Sequence, residues 1–551
     1  MQTPFELSSL FVDDLIRLDP EFATALGAPG HDHLWTDRSP EGRAQRHRRV
    51  KELVSDLAPH LEHPDRAQRL CAHVLTEYAS HRIDSYEAGD HLLDLAHTAS
   101  GFQGFREIFE LVDHTDPGAV PGVVGRLESI GAALDGYRQT LELGMSIGEV
   151  VARRQVESAL DQITDLTGTA SAWDRLEVGS PDPDRVSTAI ESAKVEMERF
   201  GGFLRDEYLP VAGESDGVGP ERYIRAAGSQ LGTVPDPAEI YEWGWGEIDR
   251  LLAEMRRVAL DIDPLADLET VIERMESDPA LSARSPAALV EFVSERQAQA
   301  IRDLDGSHFD VPDEIRRVAV MIAPPGGALG AYYQQPSEDF SRPGGIYYAI
   351  GDSSTFPLYQ EVSTAYHEGF PGHHLQIGTS MANRQNLSRA HRLLVWYSGY
   401  GEGWAMYAER LMGELGYFER PEWVLGMLAS QLFRAARVVT DIGLHLGLTI
   451  PDGAPVLGGE DWTFERACVF MADVGLQPHS YAVSDVKRYL GWPGQAITYK
   501  VGEREILELR ESERRRLGSV FDLKDFHARV LGDGEMGFDL LRRVVSGDFD
   551  R

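Results

Sequence analysis

The sequence contains very few cysteines and no long apolar run. Its 551 residues include two cysteines, Cys71 and Cys468, so a disulfide framework is excluded. No stretch of eighteen apolar residues occurs, and a membrane-spanning helix is therefore not predicted. The first residues, Met1–Leu7, have neither the basic start nor the apolar core of a secretory signal. We expect a cytoplasmic protein that does not bind membranes.

Basic residues are scarce relative to acidic ones. The chain has 53 lysines and arginines against 89 aspartates and glutamates, which gives a formal net charge of −36. Such a surface repels phosphate groups, so binding to nucleic acid or to anionic membranes is not expected. The charge says little about the substrate, because acidic surfaces usually serve solubility.

Helical periodicity dominates the chain from residue 6 to about residue 209. Apolar residues recur there at three- and four-residue intervals with charges between them, for example in Ala67–Glu87 and Ser146–Thr167. Ser146 and Glu149 fit a capping box at the start of the second of these segments. The pattern predicts a mainly α-helical protein.

The composition changes after residue 310. Short β-rich runs bounded by proline and glycine predict a small sheet of three strands: Arg317–Ile322, Gly330–Tyr333 and Gly345–Ile350. Such a strand can bind an extended peptide through its main chain, with Tyr348 near the substrate, although strand tyrosines more often complete a core. We predict a scaffold lobe over residues 1–310, with a hinge at 213–220, and a catalytic lobe over residues 311–551.

Three histidines and a glutamate are grouped in the second half of the chain: His367, Glu368, His373 and His374. A helix with His-Glu and a second histidine one turn later offers zinc two nitrogen ligands and a general base. In this chain the second histidine comes six or seven residues after the first, so an unbroken helix cannot direct both at one ion. Pro371-Gly372 can interrupt the helix and so turn the second histidine back towards His367. A coincidental histidine cluster is the alternative, and the spacing leaves both later histidines open as ligands.

Two glutamates follow in the segment Ser398–Glu409. Glu402 and Glu409 are seven residues apart and share one face of a predicted helix. A zinc site with two histidines needs a third protein ligand, which Glu402 can supply. Glu409 can orient a histidine by accepting a hydrogen bond from its ring. Surface carboxylates are the usual alternative, which the neighbouring Trp404 disfavours.

Two further polar sets lie downstream. Asp441 is four residues from both Arg437 and His445 on an otherwise apolar helix, so either can pair with it beneath the site, unless this stripe is exposed. Gln495 and Tyr499 share a helix face after a Pro-Gly turn. Tyr499 can donate a hydrogen bond to the oxyanion that forms when a carbonyl is attacked, although a lone tyrosine is usually part of a core.

Three segments resemble, in order, the signature blocks of the bacterial DUF885 family: His-Glu-Gly-Phe-Pro-Gly-His-His-Leu-Gln at 367–376, Glu-Gly-Trp-Ala-Met-Tyr-Ala-Glu at 402–409 and Pro-Gly-Gln-Ala-Ile-Thr-Tyr-Lys-Val-Gly at 493–502. The resemblance extends over the full length. It implies a mostly helical protein similar to zinc peptidases of the thimet oligopeptidase and carboxypeptidase type, with a cleft between two lobes and a small sheet beside the metal helix.

The resemblance also implies roles for individual residues. It places the zinc ligands at His367, His373 and Glu402, and it prefers His373 to His374 because relatives keep the Gly-His step. His374 then contacts the substrate or supports a ligand, as does Gln495.

The predicted function is zinc-dependent hydrolysis of short peptides. Zinc lowers the pKa of water towards about 7, Glu368 accepts its proton, and Tyr499 binds the oxyanion. A basic side chain such as Arg488 or Lys500 near a terminal carboxylate would make the enzyme an exopeptidase. Two alternatives remain: a zinc hydrolase of a non-peptide amide or ester, and a catalytically silent helical binding protein.

Overall fold

The computed structural model describes residues 2–323, 330–351 and 353–551. Helices contain 67% of the chain and strands 4%, so the predicted mainly α-helical fold is confirmed. The chain forms two units: unit 1 comprises the residues up to Val218 together with Lys487–Trp492, and unit 2 comprises Gly219–Val486 and Pro493–Arg551. The first unit boundary falls inside the segment 213–220. The scaffold and catalytic roles given to residues 1–310 and 311–551 stay predictions.

Unit 1 consists of helices connected by short turns and loops. Its α-helices are α1 (Pro4–Leu18), α2 (Pro20–Ala25), α3 (Pro40–Leu57), α4 (Arg66–Glu87), α5 (Gly104–Glu107), α6 (Val120–Ile147), α7 (Arg153–Thr167) and α8 (Pro183–Phe203). The largest of them, α6, packs against α8. Leu127, Tyr137 and Met197 are buried in the apolar cluster that these helices share, and this burial holds the unit together.

The segment Ser146–Thr167 is not one helix. α6 continues through Ser146, and Gly148 then ends it with a left-handed backbone, φ 83°. α7 begins only at Arg153. The predicted capping box of Ser146 and Glu149 is therefore wrong, because the glycine between them terminates one helix before the next can start.

Unit 2 contains the remaining helices. They are α9 (Gly219–Leu231), α10 (Pro237–Ile262), α11 (Leu268–Ser277), α12 (Pro286–Leu304), α13 (Leu358–Glu368), α14 (His373–Ala382), α15 (Arg389–Leu393), α16 (Ser398–Glu414), α17 (Pro421–Leu446), α18 (Phe464–Asp473), α19 (His479–Gly491, of which the end belongs to unit 1), α20 (Thr498–Leu517), α21 (Leu523–Gly532) and α22 (Phe538–Ser546). Within the described parts of the chain, no helix has the length and apolar character needed to cross a membrane.

Two small sheets lie in unit 2. The strands are β1 (Ser282–Ala283), β2 (Ala319–Ile322), β3 (Gly330–Gln334), β4 (Gly345–Ala349) and β5 (Phe356–Pro357). β1 pairs with β5, while β4 is central between a parallel β2 and an antiparallel β3. Ile346 and Tyr348 of β4 share one buried apolar cluster with Ala365 of α13. The predicted three-stranded sheet is thus confirmed, and it lies beside the helix that carries His367.

α16 and α20 approach each other so closely that their backbones touch. A Cβ atom added to Gly403 would lie less than 3.0 Å from the backbone of Gly502, and one added to Gly502 would overlap the carbonyl oxygen of Gly399. Only glycine permits this distance. The contact brings together the helix that carries Glu402 and the helix that carries Tyr499.

Candidate metal centre

The helix of His367 ends one residue after it, and a new helix begins at His373. Between the two helices the chain turns back, so that Gly372 lies against the backbone carbonyl of His367. A Cβ atom on Gly372 would overlap that carbonyl oxygen, and a larger residue does not fit. The helix interruption predicted at Pro371-Gly372 is therefore confirmed.

A buried glutamine of α12 stabilises this interruption. Gln297 donates a hydrogen bond through Nε2 to the Ala365 carbonyl oxygen (2.7 Å) and accepts one from the Phe370 amide through Oε1 (2.6 Å). Both groups are near a helix end, where backbone donors and acceptors lose their helical partners. Gln297 supplies those partners and so fixes the angle at which the chain leaves α13.

We expect Gly372→Ala to destabilise the protein by about 1–3 kcal/mol, because the backbone must shift to relieve the overlap. It should also weaken metal binding, since the shift moves His373. Urea unfolding and zinc titration measure the two effects. Gly453→Ala is the control, because a Cβ atom there meets nothing within 4 Å. Equal stability of the two variants would contradict this account of the turn.

Three side chains converge across the interrupted helix. His367 Nε2 lies 3.3 Å from Glu402 Oε2, and His373 Nε2 lies 3.4 Å from the same oxygen. Donor atoms of all three residues lie within 4.8 Å of one another. The two imidazole rings are 5.0 Å apart and nearly perpendicular, at 88°. Two buried histidines and one partly buried glutamate thus face a common point.

The spacing of these donors suits a zinc ion. Zinc binds histidine nitrogen and carboxylate oxygen at about 2.0–2.2 Å, and tetrahedral geometry then separates neighbouring donors by roughly 3.3–3.6 Å. The observed nitrogen–oxygen distances of 3.3 and 3.4 Å fall in that range. Two imidazoles and a carboxylate are also a ligand set used by catalytic zinc sites. The residues present therefore fit the ion that the sequence motif predicts.

Glu409 holds one of the histidines in place. Its Oε1 atom lies 2.7 Å from His367 Nδ1. A carboxylate can only accept, so Nδ1 carries the proton of this bond, and Nε2 is the ring nitrogen directed at Glu402. Ser363 donates a hydrogen bond to the second oxygen of Glu409, and Ser430 donates another at 3.4 Å. The predicted orienting role of Glu409 matches this position.

The electrostatics of the centre favour a cation. Burial alone would lower the pKa of His367, but hydrogen bonds and charge interactions with Glu402 and Glu409 raise it to about 9. Burial alone would raise the pKa of Glu402, but hydrogen bonds with His367 and His373 hold it far below its usual value. The carboxylates therefore attract positive charge to this point, and a metal ion can take the place of a proton.

Glu368 lies next to His367 and is half-buried. Burial raises the pKa of its carboxyl group, and the charge of Glu402 raises it further, although His367, His373 and Arg434 act in the opposite direction. A raised pKa brings a carboxylate closer to the neutral range in which general bases work. The position suits the role predicted for Glu368.

His374 points away from the other two histidines. Its Nε2 atom donates to the Ile315 carbonyl oxygen (2.8 Å), and its Nδ1 atom lies 3.2 Å from the Tyr333 hydroxyl. Burial lowers the pKa of His374 to about 4, so the ring is neutral at neutral pH. With both nitrogens engaged by protein groups, His374 does not belong to the converging set. This geometry favours His373 as the second ligand.

Tyr499 lies beside the candidate ligand His367. The two rings stack at 6.3 Å with an angle of 16° between their planes. The guanidinium groups of Arg437 and Arg434 lie 5.0 and 5.7 Å from the tyrosine ring. Cations over the ring hold its orientation, so that Tyr499 has a defined place next to the converging donors.

The profile of a protein family described as "Bacterial protein of unknown function (DUF885)" matches residues 20–545. The chain belongs to the DUF885 family. The family suggested by the three motif blocks is thereby confirmed, and its description assigns no activity. None of the curated proteins is significantly similar to the chain.

The solved structures that resemble this DUF885 protein include two that are described as lipoproteins. One is described as "the putative lipoprotein from Colwellia psychrerythraea", with a TM-score of 0.85, 22% identity and coverage of 100% of both chains. The other is "a putative lipoprotein of unknown function from Shewanella oneidensis", with a TM-score of 0.75, 19% identity and coverage of 99% of this chain and 100% of that one. At these identities the similarity shows a shared fold and no more.

Arg437, Asp441 and His445 of α17 are buried in the DUF885 chain. His445 Nε2 lies 3.5 Å from Asp441 Oδ1, and Tyr223 donates to the other oxygen of Asp441 at 2.7 Å. Arg437 pairs with Asp485 at 3.4 Å. Of the two partners that the spacing left open for Asp441, His445 is thus found beside it. The alternative of an exposed salt-bridged face is wrong.

Two of the predicted substrate-binding residues are also buried. Gln495 donates to the Ser398 hydroxyl at 3.3 Å, one turn before Glu402. Tyr348 packs in the core, and burial together with the carboxylates of Glu361 and Glu368 raises its pKa well above the usual value. Tyr348 therefore lies near the candidate base from the side of the sheet, and Gln495 supports the start of α16.

Two basic residues, Lys500 and Arg488, were considered as binding partners for the terminal carboxylate of a peptide, and they have different positions. Lys500 is buried between Glu503 and Glu247, the latter at 2.9 Å. Its charge is thus neutralised inside unit 2, and the suggestion that it binds a terminal carboxylate is wrong. Arg488 belongs to unit 1, where its guanidinium lies 5.2 Å from the ring of Tyr489; its proposed contact with substrate stays a prediction.

Sequence patterns missed Gln297 and Ser363. Ser363 precedes His367 by four residues on the same helix face, and this spacing was a usable signal for a residue that supports the centre. Gln297 is about seventy residues upstream of its partners, and nothing in its local sequence marks it.

Proposed function

We propose that this DUF885 protein is a zinc-dependent hydrolase that cleaves peptide bonds in short peptides. The observation that carries the proposal is the convergence of His367, His373 and Glu402 at donor spacings that suit one tetrahedral ion. Structural zinc sites use four protein ligands, whereas catalytic sites use three and leave a position for water or substrate. Three converging ligands therefore favour catalysis.

A bound zinc ion would polarise a carbonyl group and lower the pKa of water towards about 7. Residues of the chain would supply proton transfer, orientation of the ligands and binding of the oxyanion. Glu368 accepts a proton from the attacking water and returns it to the leaving amine. Glu409 keeps Nε2 of His367 free for the ion through its bond to Nδ1. Tyr499 stacks on His367 and donates a hydrogen bond to the developing oxyanion.

The choice of a peptide as substrate rests on the motif blocks. They match the DUF885 family, and we propose that this family is distantly related to zinc peptidases of the thimet oligopeptidase and carboxypeptidase type. A cytoplasmic location is likewise proposed from the sequence. The similarity to a neighbour described as a lipoprotein concerns the fold, and fractionation of cells that express the tagged full-length protein decides the location.

Metal analysis and a peptide library test the proposal. Protein stripped with a chelator and reloaded with zinc should contain one zinc ion per chain and should cleave a mixed peptide library, as seen by mass spectrometry. Absence of stoichiometric zinc, with no activity restored by zinc, would exclude the enzyme and favour a silent binding protein. Stoichiometric zinc without peptide cleavage would favour a non-peptide amide or ester as substrate.

We expect Glu409→Gln to weaken zinc binding by about 10–100-fold, because the amide no longer fixes the ring of His367 as a carboxylate does. Competition with a chromogenic zinc chelator measures the affinity. Glu414→Gln, at the exposed end of the same helix, should bind zinc like the parent protein. An unchanged affinity in Glu409→Gln would show that His367 is oriented by other contacts.

A further inference from the structure

A small cavity lies along α14, the helix that begins at the candidate metal ligand His373. Its volume is about 80 Å³, several times the space that one water molecule requires. Gln376 and Ser380 line it, one and two turns after His373 on the same face of α14. Trp396 also lines it, and its ring lies 6.3 Å from the His373 ring. A group bound in this cavity would be a near neighbour of the metal centre.

The wall of the cavity contains an arginine whose hydrogen-bonding capacity is largely unused. The side chain of Arg392 is only 7% exposed, and its Nη2 atom lies 3.4 Å from Glu338. The Nε and Nη1 atoms are buried and have no hydrogen-bond partner. Buried guanidinium groups without partners are costly. Their presence at a cavity therefore points to an acceptor that a ligand supplies.

The surroundings of Arg392 are more basic than the rest of this acidic protein. Glu338 also pairs with Arg389 at 3.3 Å, and its backbone carbonyl accepts a hydrogen bond from Arg384. Burial lowers the pKa of Arg392, and the charges of Arg384 and Arg389 lower it further, although Glu338 raises it. The Glu338 carboxylate thus pairs with two guanidinium groups, those of Arg389 and Arg392.

The cavity also contains one acidic side chain, whose charge would oppose the binding of an anion. Glu535 lines the cavity, but its oxygens accept hydrogen bonds from Gln376 Nε2 (3.1 Å) and from the Tyr397 amide. Burial raises the pKa of Glu535 well above its usual value, so burial favours the neutral form over the charged form that would repel an anion. The Ser380 hydroxyl is buried without a partner and can donate to a bound oxygen.

We propose that this cavity, the Arg392 pocket, binds a carboxylate group of the substrate close to the bond that is cleaved. Arginine is well suited to bind carboxylates, and the Nε and Nη1 atoms of Arg392 can each donate a hydrogen bond to an oxygen of the ligand. The carboxylate is either the C-terminus of a peptide, which makes the enzyme a carboxypeptidase, or the side chain of an acidic residue. The inference rests on the proposed function.

Binding of tetra-alanine tests the pocket. The probes are the peptide with a free C-terminus, the same peptide with a C-terminal amide, and an amide whose last residue is glutamate. Isothermal titration calorimetry with zinc-loaded Glu368→Gln protein avoids cleavage. We expect the free acid to bind at least ten-fold more tightly than tetra-alanine amide. Equally tight binding of the glutamate amide would identify a side chain as the ligand, and equal affinity of all three peptides would overturn the proposal.

Three variants assign the preference to the pocket. Arg392→Gln should abolish it. Ser380→Asp should abolish it as well, because it places a carboxylate of the protein within reach of Arg392 while keeping that arginine. Arg389→Gln is the matched control, since Arg389 shares Glu338 but does not line the cavity, and it should keep the preference. A preference that survives in folded Ser380→Asp and Arg392→Gln would overturn the assignment.

Failure of the pocket and failure of the proposed function give different results. If zinc binds and peptides are cleaved without any advantage of the free acid, the pocket is wrong and the function stands. If the protein binds no zinc but still prefers the free acid through Arg392, the function is wrong and the pocket stands.

Discussion

Glu368→Gln is expected to reduce kcat for peptide hydrolysis by about 10²–10⁴-fold while the protein keeps its zinc. The amide cannot accept a proton from water, and loss of a general base has an effect of this size. Because Glu368 is not among the three converging donors, its replacement should leave the metal site intact. Steady-state kinetics on a cleaved library peptide and elemental analysis of the same preparation measure both quantities.

The control for this variant is Glu414→Gln, which removes an equivalent charge from the exposed end of α16 and should retain full activity. An active Glu368→Gln enzyme with full zinc content would show that another group accepts the proton. Loss of zinc in Glu368→Gln would instead make Glu368 a ligand, which contradicts the geometry of the centre.

The neighbouring histidines 373 and 374 should respond in opposite ways to replacement by alanine. His373→Ala is expected to weaken zinc binding by well over about 100-fold, more than the loss of an outer residue does, and to abolish activity. His374→Ala should still bind one zinc ion per chain. It should lower stability by about 1–3 kcal/mol, because the Ile315 carbonyl and the Tyr333 hydroxyl lose a buried partner.

Zinc titration and thermal unfolding of the two purified variants separate these effects. His479→Ala, at an exposed position on α19, should match the parent protein in both measurements. If His374→Ala loses zinc and His373→Ala keeps it, the ligand assignment is reversed. If neither variant changes zinc binding, the converging donors do not form the metal site.

Features that depend on neighbouring residues could be predicted from the sequence. The three strands β2, β3 and β4 follow from β-rich runs between prolines and glycines, and the interruption after α13 follows from Pro371-Gly372. The placement of Glu402 and Glu409 on one helix face could be predicted from their seven-residue spacing. The same kind of reasoning failed at Ser146, where a single glycine in a left-handed conformation outweighed a suitable capping pattern.

Where the sequence offered several residues for one role or one contact, residues far away in the sequence decide which of them is used. His374 is held by the Ile315 carbonyl, which is 59 residues away in the sequence, and local spacing contains no trace of that contact. Arg437 has Asp485 as its partner for the same reason. Lys500 looked available in the sequence and is neutralised by Glu247. Tertiary packing selects such partners, and one sequence without its fold does not reveal them.

The glycine contact between α16 and α20 has a consequence for motion. Side chains at a helix interface can slide or change rotamer, but two backbones in direct contact have no such freedom. Glu402 and Tyr499, which these helices carry, therefore belong to one rigid body. Binding of a ligand therefore cannot change the distance between the backbones of these two residues, so any induced fit has to come from the elements around this pair.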